Sequence, residues 1–300
     1  MQSTTVVSTD IEIAYETFGA PGGRPLLLVM GLGAQMLEWH PDLCATLAAE
    51  NFFVVRFDNR DVGLSTHLHD APSPNLDAAM NGDISSAAYR LEDMADDAIG
   101  LLDALGLDQA HVVGASMGGM IAQTMAIRHP DRVRSLTSIM STPCLGIGAS
   151  TPAVQAAFSA PSPASRAERL EWTVALFKVI GSPAYPMDEA WLREVAGQSY
   201  DRNFDPTGVI RQVLAIYASG DRTAALTRVM TPALVIHGEA DPVFQLPAGR
   251  ATAAALPNAE LLVVPGMGHD LPRAIWPTLV AAISRLADRA EALPTSTMTD

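Results

Sequence analysis

Cysteine is nearly absent. Cys44 and Cys144 are the only two in 300 residues, too few for a disulfide framework or for a metal site built on several thiolates. Basic residues are scarce as well: Lys and Arg number 19 against 33 Asp and Glu, for a formal net charge of −14 at pH 7. An acidic surface repels phosphate backbones and anionic headgroups, so no nucleic-acid or membrane partner is expected. No apolar run approaches the ~20 residues that span a bilayer. The longest, Leu26 to Met30 with its neighbours, is strand length. Met1 to Asp10 is polar, without Lys, Arg or an apolar stretch of signal type, so a cytoplasmic location is expected. No internal repeat or low-complexity tract is present.

What remains is a globular composition, 48% hydrophobic and 17% charged, long enough for one large core. Val6–Val7 and Ile11 to Phe18 read as two early strands. Ile11, Ile13 and Tyr15 alternate with Glu12, Ala14 and Glu16, as in a half-buried hairpin. Leu26 to Met30 and Phe52 to Phe57 are continuous apolar runs of the kind buried on both faces of a parallel sheet. Further strands are expected at 111–113, 135–140, 233–237 and 260–264. Helices are expected at 37–50, 89–105, 116–129, 248–256 and 272–289. Asp58 to Asp83 reads as loop, and Leu293 to Asp300 is expected to fray. Between Ser141 and about Met230 no strand pattern appears. Helical stretches at 165–180 and 188–198 are broken by Pro161, Pro163, Pro183, Pro186 and Pro206. The pattern predicts an α/β fold: a mostly parallel eight-stranded sheet with helices on both faces. Its core comprises residues 1–140 and 231–300, interrupted by a helical lid insert over 141–230.

Gly114-Ala115-Ser116-Met117-Gly118 fits G-x-S-x-G, between a predicted strand and a predicted helix. Such a turn thrusts the Ser116 hydroxyl outward at the carboxyl end of the sheet, beside the N–H groups of the helix start. A serine needs a base at neutral pH. His269, in Gly266-Met267-Gly268-His269 directly after the last predicted strand, is placed to serve. His237, at a strand end, is the main rival, although a packed core histidine is the more ordinary role for it. The imidazole needs an orienting carboxylate. Asp241, after a buried strand and rigidified by Pro242, is favoured by position over Glu239. His67-x-His69-Asp70 hints at a metal cluster but lacks further ligands at useful spacing, so neither a metal nor a cofactor is expected.

The order Ser116, Asp241, His269 resembles the α/β-hydrolase superfamily over roughly residues 10 to 290. Asp58-Asn59-Arg60-Asp61-Val62-Gly63-Leu64-Ser65 resembles that family's loop after an early strand. The sets Leu28-Val29-Met30-Gly31, Val112 to Gly118 and Pro265 to His269 are similar to the narrower group of anthracycline (aclacinomycin) methylesterases. The resemblance implies a serine hydrolase that cleaves a carboxylic ester, a lactone and a methyl ester included. By position the oxyanion donors are the N–H groups of Leu32 and Met117. Met30-Gly31 stands where the wider family usually has His-Gly, a change that bears on loop anchoring rather than on the donors.

Met30, Trp39, Met140 and Met267 fall near predicted strand ends or site loops, and Trp172 and Phe177 lie in the insert. Together they predict an adaptable apolar pocket for a moderately bulky, hydrophobic small-molecule ester. Three other readings stay open. One is a cofactor-free peroxidase or perhydrolase. Another is a slow-turnover ligand receptor on the same scaffold. The third is a carbon–carbon bond hydrolase of diketones.

Overall fold

A computed structural model describes residues 2–6 and 9–292. Val7 and the tail 293–300, which carry two of the sequence expectations, lie outside the described residues. The eight strands are β1 (Gln2–Val6), β2 (Ile11–Phe18), β3 (Arg24–Val29), β4 (Phe52–Phe57), β5 (Ala110–Ala115), β6 (Val133–Ile139), β7 (Ala233–Gly238) and β8 (Ala259–Val264). They form one sheet in the order β1-β2-β4-β3-β5-β6-β7-β8. The β1–β2 and β2–β4 pairs are antiparallel, and every other pair is parallel.

Side chains along a strand alternate between the two faces, and the core divides accordingly. Leu27 and Val29 of β3, with Ala110 and Val112 of β5, face α3 (Leu91–Ala104) and α4 (Met117–Arg128). Leu26 and Leu28, with Val113 and Ala115, face α1 (Pro41–Ala49) and α11 (Trp276–Glu291). Both clusters are sealed, so β4 and β5 are buried along their whole length.

The predicted helix over 37–50 is interrupted. Met36–Glu38 forms one tight turn, and the α-helix starts only at Pro41. Proline disfavours helical backbone at the preceding residue but fits the first helical position. The same reasoning corrects the middle of the chain. Pro152 and Pro206, of which the sequence reading took Pro206 as a break, sit at the starts of α5 (Pro152–Phe158) and α8 (Pro206–Ser219). With α6 (Arg166–Ile180), α7 (Glu189–Arg202) and α9 (Thr223–Leu226), they fill the segment between β6 and β7. The predicted loop 58–83 contains the short helix α2 (Leu76–Met80). The remaining helix, α10 (Leu246–Ala255), lies between β7 and β8. Among the described residues, no helix is long and apolar enough to cross a membrane.

The loop after β4 ties the segment 141–230 to the sheet. Asp58, fully buried, accepts from the Met36 and Leu64 N–H groups and pairs with Arg202 at 2.6 Å. Asn59 donates to the Met30 carbonyl at 3.0 Å. Arg60 grips Asp97 of α3 through two hydrogen bonds. Asp61 takes both arms of Arg211, at 2.7 and 2.9 Å. Such bidentate pairs are strong and geometrically exacting.

Candidate active site

The chain leaves β3 toward one side of the sheet and leaves β5 toward the other. The crevice between the two loops is a switch point, where open α/β sheets bind ligands. Ser116 stands there, between β5 and α4, with φ 56° and ψ −121°. A non-glycine residue at positive φ is strained by about 1–3 kcal/mol. The Ser116 N–H donates to Ile139 O at 2.9 Å, and its carbonyl accepts from Gly119 N–H and from the Ser141 hydroxyl. These bonds hold the turn while the side chain caps nothing and stays available.

His269 Nε2 lies 3.0 Å from Ser116 Oγ, and His269 Nδ1 lies 2.8 Å from Asp241 Oδ2. An ionised carboxylate only accepts, so Nδ1 carries the proton and Nε2 is left to accept from the serine. The other carboxylate oxygen of Asp241 accepts from Val243 N–H at 2.8 Å and Phe244 N–H at 3.0 Å. The Phe244 ring lies edge-on to the His269 imidazole, with centroids 5.8 Å apart. Residues separated by up to 153 positions therefore form one hydrogen-bonded chain able to deprotonate a hydroxyl.

The rival histidine has a different place. His237 is fully buried, its Nε2–H donates to Phe244 O at 2.6 Å, and burial lowers its pKa. It braces the loop that bears Asp241 and does not touch Ser116. Gly31 brings the loop after β3 against Ser116: a Cβ built there would lie 3.2 Å from Ser116 Cβ. Among the described residues, neither the Leu32 nor the Met117 N–H has a hydrogen-bond partner.

The expected pocket residues separate. Met30, Trp39, Met140 and Met267 belong to one buried cluster, with Trp39 and Met267 1% and 0% exposed. Trp172 is half-buried beneath the Arg169 guanidinium, 4.7 Å from the ring centroid. Phe177 lines a cavity together with Glu38, Arg169, Trp191 and Ser199. His67 and His69 converge with Asp205, not Asp70, with ligand atoms within 4.8 Å of one another. Asp205 already pairs with His67 at 2.9 Å and with Arg211 at 3.2 Å.

Sequence reasoning missed Glu38 and Arg169, which line two adjoining cavities between the loop after β3 and the helices α6 and α7. Burial pushes the Glu38 carboxyl up to about 7, with the Arg169 guanidinium opposing. In the window between the ordinary carboxylate range and that value, the unfolded chain releases a proton that the folded chain keeps. Folding stability therefore falls as pH rises through the window and then levels off. Glu38→Gln mimics the protonated form, so it is expected to melt higher than wild type at about pH 8 and equally at about pH 4. Scanning calorimetry at the two pH values measures this, and an advantage of the same size at both would overturn it.

Residues 24–272 match the alpha/beta hydrolase fold family, and the chain belongs to it. It is 28% identical to the rhodomycin D methylesterase DauP of Streptomyces sp. (strain C5), covering 94% of this chain and 97% of that protein. It is 31% identical to the pimeloyl-[acyl-carrier protein] methyl ester esterase of Chromobacterium violaceum, covering 86% and 91% respectively. Among solved structures, the enol-lactonase from Burkholderia xenovorans LB400 superposes with a TM-score of 0.72 at 22% identity, covering 96% of this chain and 100% of that one.

Proposed function

We propose that this chain is a serine carboxylic-ester hydrolase that works through an acyl-enzyme on Ser116. The observation that carries the reading is the hydrogen-bonded chain Ser116–His269–Asp241 at a strained turn on the switch point of the sheet. The methyl ester esterases among its relatives support the substrate class.

In this reading His269 Nε2 takes the Ser116 proton as Oγ forms a bond to the ester carbonyl carbon. The oxyanion rests on the Leu32 and Met117 N–H groups, whose lack of other partners suits the role. Asp241 stabilises the imidazolium. The carbon–alkoxide bond then breaks, and His269 returns the proton to the departing alcohol. Water repeats the sequence on the acyl-enzyme and releases the carboxylic acid. These steps need no metal or cofactor.

The segment 141–230 acts as the lid, and the substrate is a moderately bulky hydrophobic ester held between it and the strand ends. The aromatic side chains Phe177 and Trp191 at the interface support an apolar binding surface. The two free cysteines suit the reducing cytoplasm.

The test is a series of p-nitrophenyl esters of increasing acyl length, followed by covalent labelling with an alkyl fluorophosphonate. A burst of nitrophenol, a rate optimum at intermediate length and a phosphonate adduct mapped to Ser116 by mass spectrometry are expected. An unlabelled Ser116 with ester turnover intact would remove the acyl-enzyme from the account.

A further inference from the structure

The base does not stand on the sheet alone. The loop 265–270 that carries His269 is held on one side by the turn after β7: Ala240 N–H donates to Met267 O at 2.9 Å. On the other side it is held by residues 180–185, the end of α6 and the turn that follows. His269 N–H donates to Ile180 O at 2.7 Å, and Tyr185 OH donates to Pro265 O at 3.1 Å. Gly268 is pressed so close that a Cβ there would lie 2.3 Å from Gly181 O. At the centre is Ser182. Its Oγ accepts from Gly268 N–H at 2.9 Å and donates to the Asp270 carboxylate. One hydroxyl thus bridges the two residues that flank the base, from a position 86 to 88 residues away in sequence.

We propose that Ser182 and Asp270 are positioning residues for His269, a hydroxyl–carboxylate clamp through which the insert segment 180–185 sets the alignment of the base on Ser116. The proposal rests on His269 acting as the base in the reaction proposed above. Its physical content is that the base is aligned only while that segment is seated. Burial raises the Asp270 carboxyl, and the Ser182 hydroxyl lowers it. The other groups facing Asp270 and His269 are Asp241, Ser116 and the neutral His237. Arg273, three residues on, is engaged with Asp42 and Asp188.

Four single variants and one double variant of the full chain test this. Ser182→Ala and Asp270→Ala are each expected to lower kcat about tenfold with KM unchanged, since small misplacements of a catalytic group are felt mainly in the transition state. The double variant is expected to be no worse than either single one, because both remove the same bridge. Ser182→Thr keeps the hydroxyl and restores kcat. Asp270→Asn keeps an acceptor for Ser182 and so keeps kcat within about twofold. An NMR arm needs no turnover: in Ser182→Ala the proton between His269 Nδ1 and Asp241 is expected to shift and broaden. Wild type without turnover would therefore defeat the esterase reading while the clamp is still tested. Unchanged kcat and NMR signals in both alanine variants would overturn the clamp. So would additive losses in the double variant, or activity falling only in step with melting temperature in all four single variants. If Ser182→Ala does not fold, the contrast between Asp270→Ala and Asp270→Asn decides.

Discussion

Ser116→Ala is expected to lower ester turnover by about 10⁶-fold, the scale on which a nucleophile acting as a unit with its base is lost. The alanine methyl cannot form the acyl bond, and His269 then faces no hydroxyl. A residual rate about 10³–10⁴-fold above water is expected from the remaining N–H groups and from binding alone. Steady-state nitrophenol release from the purified variant measures this, and turnover within tenfold of wild type would place the chemistry elsewhere. The backbone makes a companion forecast. Ser116 holds φ 56° against the preference of any residue with a Cβ. Ser116→Gly, equally inactive, is expected to melt higher than Ser116→Ala because it releases that strain.

The second large effect is on folding. The strand and the helix that present Ser116 approach each other through glycines. A Cβ on Gly114 would lie 2.0 Å from Gly118 O, and one on Gly118 would lie 2.1 Å from Val29 O. Both obstacles are backbone, which cannot rotate away as a side chain would. Gly114→Ala and Gly118→Ala must therefore pry α4 off β5 or β3. Each is expected to cost more than about 4 kcal/mol, a large share of the ~5–15 kcal/mol that holds a domain together. Gly22→Ala, where nothing lies within 4 Å, is the control and should change stability by less than about 0.5 kcal/mol. Urea denaturation of the three variants measures the contrast, and a Gly118→Ala protein as stable as the control would contradict the packing described.

The sequence exposed the fold where one period dominated. Continuous apolar runs marked β3 and β4, and the glycine-flanked Ser116 fell between a strand and a helix, because those residues answer to local geometry and burial at once. Its order with Asp241 and His269 was legible because each falls in the loop or turn that leaves the carboxyl end of a strand, β5, β7 and β8 in turn. Legibility failed where one residue type has two local uses. Proline ends a helix at one place and starts it at another, so Pro152 and Pro206 did not disclose α5 and α8. It failed again where the deciding partner is remote. Nothing near Asp58 or Asp61 announces Arg202 or Arg211, 144 and 150 residues away. Ser182 has no local signature that ties it to Asp270.

The strands on either side of residues 141–230 are hydrogen-bonded neighbours, with Leu136 beside Ala233 and Ile139 beside Ile236. To the sheet, that whole stretch is one crossover between adjacent parallel strands, which any connection of about a dozen residues or more can make. The stretch is thus an exchangeable cassette as far as the sheet is concerned. The limit on exchange is electrostatic. Asp58 and Asp61 are buried carboxylates whose cations, Arg202 and Arg211, travel with the cassette. A transplanted block without both arginines would strand two charges in the interior, a loss of about 3–5 kcal/mol for each broken pair. The compatible replacements are those that bring two cations to the same two carboxylates.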